Sequence, residues 1–153
     1  MSVTYGAGGT TRDRTHNCVK KIIDETTLEP AAHLTCVNST KDEIKEITDR
    51  YKKIGVKHIV AVRGDMPNFD NFKPHPKGYK TSIDLVKNLS EQNFNVTVSA
   101  YPEKHPDALS FDEDIEFLKR KIDAGATQAI TQFCFDFQII LTYRDLLQKH
   151  NIN

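Results

Sequence analysis

The stretch HIVAVRGDMP, from His58 to Pro67, decides how the fold is interpreted. Four apolar residues, 59–62, are followed at once by Arg63, Gly64 and Asp65. A short run of mostly β-branched apolar residues is typical of a parallel strand that is buried on both faces. The charges at its end are therefore either a chance tripeptide in a turn or two ionic groups that the strand delivers to a site.

Four further runs share this character, and helical patterns separate all five. The predicted strands are Ser2–Tyr5, Ala32–Val37, His58–Arg63, Asn95–Tyr101 and Gln128–Phe133. The predicted helices run from about Thr11 to Thr26, from Thr40 to a cap at Gly55, from about Thr81 to Gln92, from Ser110 to a cap at Gly125, and from about Asp136 to His150. Five alternations imply right-handed βαβ units and an α/β fold with a parallel sheet, either doubly wound or a (β/α)8 TIM barrel.

Two of these helices carry explicit start and stop signals. The segments TKDE, residues 40–43, and SFDE, residues 110–113, both have the spacing of a capping box. Glycines at positions 55 and 125 then stand where helices commonly end. These signals predict the second and fourth helices most sharply.

Composition excludes several classes of protein. The chain of 153 residues suits one domain, and its 21 basic and 21 acidic residues balance. This balance argues against a nucleic-acid surface and against a polybasic membrane patch. No apolar stretch approaches the ~18 residues that span a bilayer. The three cysteines form no CxxC pair, so we expect reduced thiols in a cytoplasmic protein.

Ionisable and hydrogen-bonding groups gather where the predicted strands end, which is the edge where parallel α/β proteins bind ligands. The groups are His33, the Arg63–Asp65 tripeptide, the Tyr101–His105 segment and Gln132. A long loop rich in Pro, Asn and Gly, residues 64–80, follows the third strand, where a functional loop is expected. This convergence predicts a site more strongly than any single motif.

Other interpretations of these groups remain open from the residues alone. The motif GAGGTT, residues 6–11, resembles a phosphate-binding turn, but a dinucleotide fingerprint needs glycine at position 11. His33, Asp65 and His105 could bind zinc or iron, as in metal-dependent barrel hydrolases and lyases, although no HxH or HExxH pair concentrates ligands.

Longer motifs narrow these choices. They are VTYGAGGTTRDRT (3–15), HLTC (33–36), HIVAVRGDMP (58–67), AYPEKHP (100–106), LKRKIDAGA (118–126) and AITQFCFD (129–136). Their order and spacing resemble those of the methylenetetrahydrofolate reductase family, over Ser2 to about Arg144. The resemblance implies a (β/α)8 barrel with FAD at the carboxyl ends of the strands. It also implies that NADH or NADPH reduces the flavin, which then reduces 5,10-methylenetetrahydrofolate to 5-methyltetrahydrofolate, for methionine synthesis, in a ping-pong cycle. Members are flavoprotein oxidoreductases acting on CH–NH donors, and a homo-oligomer is expected of the full-length form.

The resemblance also implies roles for individual residues. The flavin-contacting positions are Thr4, His33, Val62, Arg63, Gly64, Asp65, Ser99, Tyr101 and His105. Asp114, Arg120 and Lys121 match the helix that holds the FAD phosphates and ribose, and Ser82 matches the adenosine side. Gln132 matches a residue that binds the pterin of the folate. Asp65 is the expected catalytic residue, since a carboxylate ~4 Å from a developing anion raises its energy by about 4 kcal/mol at an effective dielectric near 20. That corresponds to roughly 90 mV of lowered flavin potential.

The chain departs from the family in length. A TIM barrel typically takes ~250 residues, and the family's earlier strand, with an acidic residue in a Glu-Phe-Phe-Pro type motif, has no counterpart here. We therefore expect residues 1–153 to form one partial catalytic domain, roughly strands two to six of the barrel. Open sheet edges and an uncovered apolar face would make the isolated chain poorly soluble and inactive. A non-catalytic remnant that pairs with another chain is the remaining alternative.

Overall fold

The computed structural model describes residues 1–5, 12–65 and 73–152 and shows one parallel sheet with helices packed against it. The strands are β1 (Ser2–Val3), β2 (Ala31–Thr35), β3 (His58–Val62), β4 (Asn95–Ala100) and β5 (Ala126–Thr131). The helices are α1 (Arg12–Glu25), α2 (Lys41–Lys53), α3 (Ser82–Glu91), α4 (Phe111–Asp123) and α5 (Phe137–Lys149). The GAGGTT motif and residues 66–72 of the long loop lie outside the described residues.

The strand order decides between the two predicted architectures. Each strand pairs in parallel with the next one along the chain, in the order β1-β2-β3-β4-β5. A doubly wound sheet would reverse its order at a switch point, and no reversal occurs among the described strands. The sheet is therefore a segment of a (β/α)8 barrel, as predicted, although β1 stops at Val3 and β5 begins two residues before the predicted start.

Alternate residues of the central strands form the core. Leu34, Ile59 and Val96 are fully buried, and they belong to one apolar cluster with Ile44 of α2 and Leu85 of α3. Since side chains alternate between the two faces of a strand, the residues between them point to the opposite face. The members of that opposite face include His33, Thr35, Val60, Val62, Thr97 and Ser99.

The helix caps follow the predicted signals in one case and differ in another. Thr40 and Glu43 form a complete capping box at α2. At α4 the hydroxyl of Ser110 accepts from Glu113 N, but the Glu113 carboxylate accepts instead from Leu109 N at 2.6 Å. The reciprocal half of the predicted box is therefore displaced by one residue, because the preceding loop offers its own unpaired N–H.

The last strand departs from the expectation that every strand is buried. Among the described strands, β4 is the one neighbour of β5, and residues 127–131 of β5 are exposed. The large apolar side chains exposed here and just beyond are Ile130, Phe133, Phe135, Phe137 and Ile140. This surface agrees with the expected uncovered apolar face. None of the described helices combines the length and the apolar character that crossing a membrane requires.

Candidate active site

A cavity of about 530 Å³ opens at the carboxyl end of the sheet, which is within the usual range for small-molecule sites. Its wall is built from the ends of β2 to β4, from Gln132 after β5, and from residues of α3 and α4. The predicted site residues in this wall are Val62, Arg63, Gly64, Asp65, Ser82, Ser99, Tyr101, His105, Asp114, Lys121 and Gln132. Residues from four separate motifs therefore meet around one space.

The end of β3 is held firmly before it turns into the cavity. The carbonyl of Arg63 accepts from Val37 N at 3.0 Å and from Cys36 Sγ at 3.6 Å. Gly64 then has φ +84°, in the left-handed region that favours glycine. This turn directs the chain so that the exposed Asp65 borders the cavity.

Arg63 also reaches across to the loop that follows β4. Its Nη1 donates to Asp107 Oδ2 at 2.9 Å. This hydrogen bond and the charge of the guanidinium keep the pKa of the Asp107 carboxyl below its usual range. The ion pair links two neighbouring strand ends at the rim of the cavity, where both side chains are partly open to solvent.

The loop after β4, residues 101–110, is organised by its own hydrogen bonds. Lys104 has φ +70°, and its ammonium donates to the carbonyls of His105 and Ala108. His105 N donates to Asp114 Oδ2 at 3.0 Å, and the His105 ring meets Tyr101 edge-to-face at 4.6 Å between centroids. Burial lowers the pKa of His105, which favours the neutral form of its imidazole.

Lys121 is the buried cation of the site. It is 6% exposed, and its Nζ donates to the carbonyl of Ser99 at 3.1 Å. Burial lowers the pKa of Lys121 to about 8, and only the charge of Asp114 opposes this shift. The ammonium also lies 5.0 Å from the ring centroid of Phe117. A desolvated cation on a cavity wall is suited to an anionic ligand group.

Three predicted site residues lie outside the cavity wall. His33 is half-buried, and burial lowers its pKa. Thr4 is exposed, and its backbone carbonyl accepts from Thr15 Oγ1. Arg120 is exposed on α4, with its guanidinium 5.9 Å from the Phe117 ring centroid. Their predicted roles remain predictions.

The metal-site alternative finds no support in the arrangement. Among residues 1–5, 12–65 and 73–152, no three His, Cys, Asp or Glu side chains are grouped so that they could hold a metal ion. His33, the β2 ligand that this alternative needs, is not in the cavity wall with Asp65 and His105.

Sequence reasoning did not assign several residues of the cavity wall. They are Tyr5, Thr35, Ala61, Lys80, Thr81, Asp107, Ala108, Glu113 and Phe117. Thr35 could have been found, because it lies two residues after His33 and therefore on the same face, nearer the carboxyl end of β2. No sequence pattern identified Asp107 as a site residue, because its partner Arg63 is 44 residues away along the chain.

Comparison with known sequences matches the whole chain to one family. The sequence model described as methylenetetrahydrofolate reductase matches residues 1–153. The chain is 49% identical over 146 residues to 5,10-methylenetetrahydrofolate reductase of Escherichia coli strain K12, covering 95% of this chain and 48% of that protein. It is also 49% identical over 154 residues to the enzyme of the same name from Buchnera aphidicola subsp. Baizongia pistaciae, covering 99% of this chain and 50% of that protein. The chain thus spans about half the length of these curated relatives.

Comparison with solved structures concerns the fold alone. 2,3-dimethylmalate lyase, described as a member of the PEP mutase/isocitrate lyase superfamily, superposes with a TM-score of 0.62 at 13% identity. The match covers 97% of this chain and 53% of that one. The similarity supports the parallel barrel-like architecture and carries no argument about chemistry.

Proposed function

This chain belongs to the methylenetetrahydrofolate reductase family, and on that premise we propose that it forms part of the catalytic domain of an NAD(P)H-dependent flavoprotein. The reaction proposed for the complete protein is reduction of 5,10-methylenetetrahydrofolate to 5-methyltetrahydrofolate. The observation that carries the proposal is the meeting of four motifs, VRGD, SAYPEKHP, LKRK and ITQF, around one cavity.

The cavity wall fits FAD in its distribution of charge. Lys121 offers a buried ammonium with three N–H donors, of which Ser99 takes one. Charge-assisted hydrogen bonds to phosphate oxygens would compensate for the hydration free energy that this cation loses on burial. Asp65 and Gln132 border the same cavity, where a carboxylate and an amide can face the ring system and the folate. Thr35 also lies in this wall, and its buried hydroxyl has no partner in the described chain.

The proposed mechanism assigns distinct tasks to residues of this chain. When bound, the flavin would take a hydride equivalent from the reduced nicotinamide and give it to the folate. The Asp65 carboxylate disfavours negative charge beside it and stabilises a cationic iminium form of the folate. Gln132 orients the pterin by hydrogen bonds, and the rings of Tyr101 and Phe117 exclude water from part of the wall. The backbone N–H of His105 holds the loop against the Asp114 carboxylate.

The remaining features of the proposal follow from the family. NADH or NADPH is the reductant, and the complete protein is a homo-oligomer. A cytoplasmic location is supported by the three cysteines, all of which are free thiols. We also propose that residues 1–153 correspond to strands two to six of the barrel, supported by the roughly half coverage of the curated relatives.

Absorption spectroscopy tests the proposal. The complete polypeptide that carries this sequence should purify yellow, bleach anaerobically with NADH or NADPH, and regain its colour with 5,10-methylenetetrahydrofolate. Asp65→Asn should keep its flavin but slow the folate half-reaction by roughly 10²-fold or more, since electrostatic groups of this kind contribute about 3 kcal/mol. A colourless protein whose activity disappears with a chelator would overturn the assignment. Full reductase activity from residues 1–153 alone would agree with the reductase assignment but would contradict the proposal that these residues form only part of the catalytic domain.

A further inference from the structure

Thr35 ends β2 with a hydroxyl that the protein leaves unsatisfied. The residue is only 3% exposed, and its Oγ1 has no hydrogen-bond partner in the part of the chain that the structure describes. Buried polar side chains are nearly always hydrogen-bonded, so each exception calls for an explanation. The same residue lines the cavity described above.

The position of Thr35 relative to the other strand ends supports a binding role. It pairs in register with Val62, so the two side chains are neighbours on one face of the sheet and both belong to the cavity wall. Rotation about the Cα–Cβ bond of a threonine exchanges its hydroxyl and methyl groups. The hydroxyl can therefore turn toward an occupant without any movement of the backbone.

The character of the surrounding wall indicates the kind of group that Thr35 would meet. Ala61 and Val62 are apolar, while Ser99 and Gln132 add polar groups from neighbouring strand ends. An apolar wall with a few convergent polar groups suits a flat heteroaromatic ring that carries carbonyls and ring nitrogens at its edge. Resting on the proposed function, we propose that the Thr35 hydroxyl is a β2 hydrogen-bond partner of the flavin ring held in this cavity.

A second buried threonine provides a matched comparison. Thr97 lies on the same face of the sheet and is 5% exposed, but its Oγ1 already bonds Gln128 Oε1 at 3.3 Å, and it is not part of the cavity wall. The two residues therefore share type, burial and sheet face. They differ in whether the protein satisfies the hydroxyl.

The test replaces each hydroxyl by a methyl group in the complete polypeptide that carries this sequence. Thr35→Val should weaken FAD binding about five- to ten-fold, as expected for loss of one neutral hydrogen bond, measured by flavin fluorescence on titration of the flavin-free protein. The flavin-free variant should be at least as stable to heat as the unchanged protein, because an unsatisfied group has been removed. Thr35→Ser, which retains the hydroxyl, should bind FAD within about two-fold of the unchanged protein on the same reasoning.

Thr97→Val should give the opposite pair of results, with reduced stability and unchanged FAD affinity. FAD binding by Thr35→Val within two-fold of the unchanged protein would overturn the assignment, and so would a serine variant that binds as weakly as the valine variant. If the unchanged polypeptide takes up no FAD at all, the proposed function fails, and the assignment of Thr35 fails with it.

Discussion

The two ends of β3 are flanked by glycines that have the same φ but different surroundings. Gly55 precedes the strand and Gly64 follows it, and both have φ +84°. A side chain added at Gly55 would meet nothing within 4 Å, so this turn only reverses the chain after α2. The turn at Gly64 instead follows a carbonyl held by two donors and directs Asp65 to the cavity. A glycine with the same φ therefore reverses the chain before β3 and directs Asp65 to the cavity after it.

Charged groups show the same contrast. At the amino end of β3, the Glu29 carboxylate accepts from Lys57 at 2.8 Å and lies 3.3 Å from His58 Nε2. Hydrogen bonds from Lys57 and then His58 lower the pKa of Glu29, while the Glu29 and Lys57 side chains stay largely in water. At the carboxyl end, Lys121 is desolvated. Burial of charge, rather than its presence, distinguishes the two ends.

The largest expected effect concerns the pH dependence of stability. The unfolded chain keeps the proton of Lys121 up to about pH 10.5, whereas the folded chain releases it near pH 8. The unfolded chain binds more protons at Lys121 between these values, so Lys121 should contribute a rise of about 3 kcal/mol to the free energy of unfolding as the pH increases. Urea unfolding of the flavin-free protein measures this rise.

Lys121→Met should lack the rise between pH 8 and 10.5. Four buried groups act in the opposite direction. Burial raises the pKa of Cys36 to about 11 and that of Tyr143 to about 12, and it also raises the pKa values of Tyr51 and Tyr79. All four are present in the variant, so the difference between the two proteins isolates Lys121. Parallel pH profiles would show that the Lys121 ammonium is hydrated.

The next effect distinguishes the buried lysine from an exposed one on the same helix. Lys121→Met should weaken FAD binding by about 10- to 100-fold, the value of a charge-assisted hydrogen bond. Lys119→Met removes a solvent-exposed ammonium two residues away and should leave the affinity nearly unchanged. Flavin titration measures both, and equal losses would indicate a general electrostatic field rather than a contact.

A paired substitution at the two glycines tests the comparison directly. Gly55→Ala and Gly64→Ala should each lower the free energy of unfolding by about 1 kcal/mol, because both force alanine into the left-handed region. Only Gly64→Ala should slow the folate half-reaction, by on the order of 10-fold, since it displaces Asp65. Stopped-flow absorbance measures the rate, and an equal rate loss in Gly55→Ala would contradict the assignment.

The smallest expected effect on stability comes from a substitution at the amino end of β3. Glu29→Gln should reduce stability slightly at neutral pH without altering flavin affinity, because exposed ion pairs contribute little. The pKa of Glu29 is lowered in the folded chain, so its contribution is present above the unfolded pKa and disappears as pH falls. Urea unfolding at low and high salt measures it. A difference that survives high salt would show that this end is less solvated than its exposure indicates.

Much of the fold was predictable from local patterns. The sequence of strands and helices followed from apolar periodicity, and the fold class and the family resemblance are confirmed. The capping box at α4 was half wrong, because the partner of Glu113 is set by the conformation of the preceding loop. The exposure of β5 depends on whether other elements pack against it, and the apolar periodicity of the strand does not contain that information.

The location of the site in the fold was predictable from the sequence, whereas the set of residues that line it was only partly predictable. The rule that parallel strands present ligand groups at their carboxyl ends placed Asp65 and Gln132 on one cavity. Periodicity could not choose between His33 and Thr35, because both lie on the same face and only the depth of the cavity distinguishes them. Lys121 was assigned through the family resemblance, and its burial on α4 beside Asp114 and Leu118 is known from the structure rather than from the helical pattern.

The doubly held carbonyl of Arg63 has a mechanical consequence. Because Val37 and Cys36 both donate to it, the tip of β3 is fastened to β2 up to the last peptide before Gly64. The hydrogen bonding that joins the end of β3 to the segment after β2 therefore extends to the peptide unit immediately before Gly64.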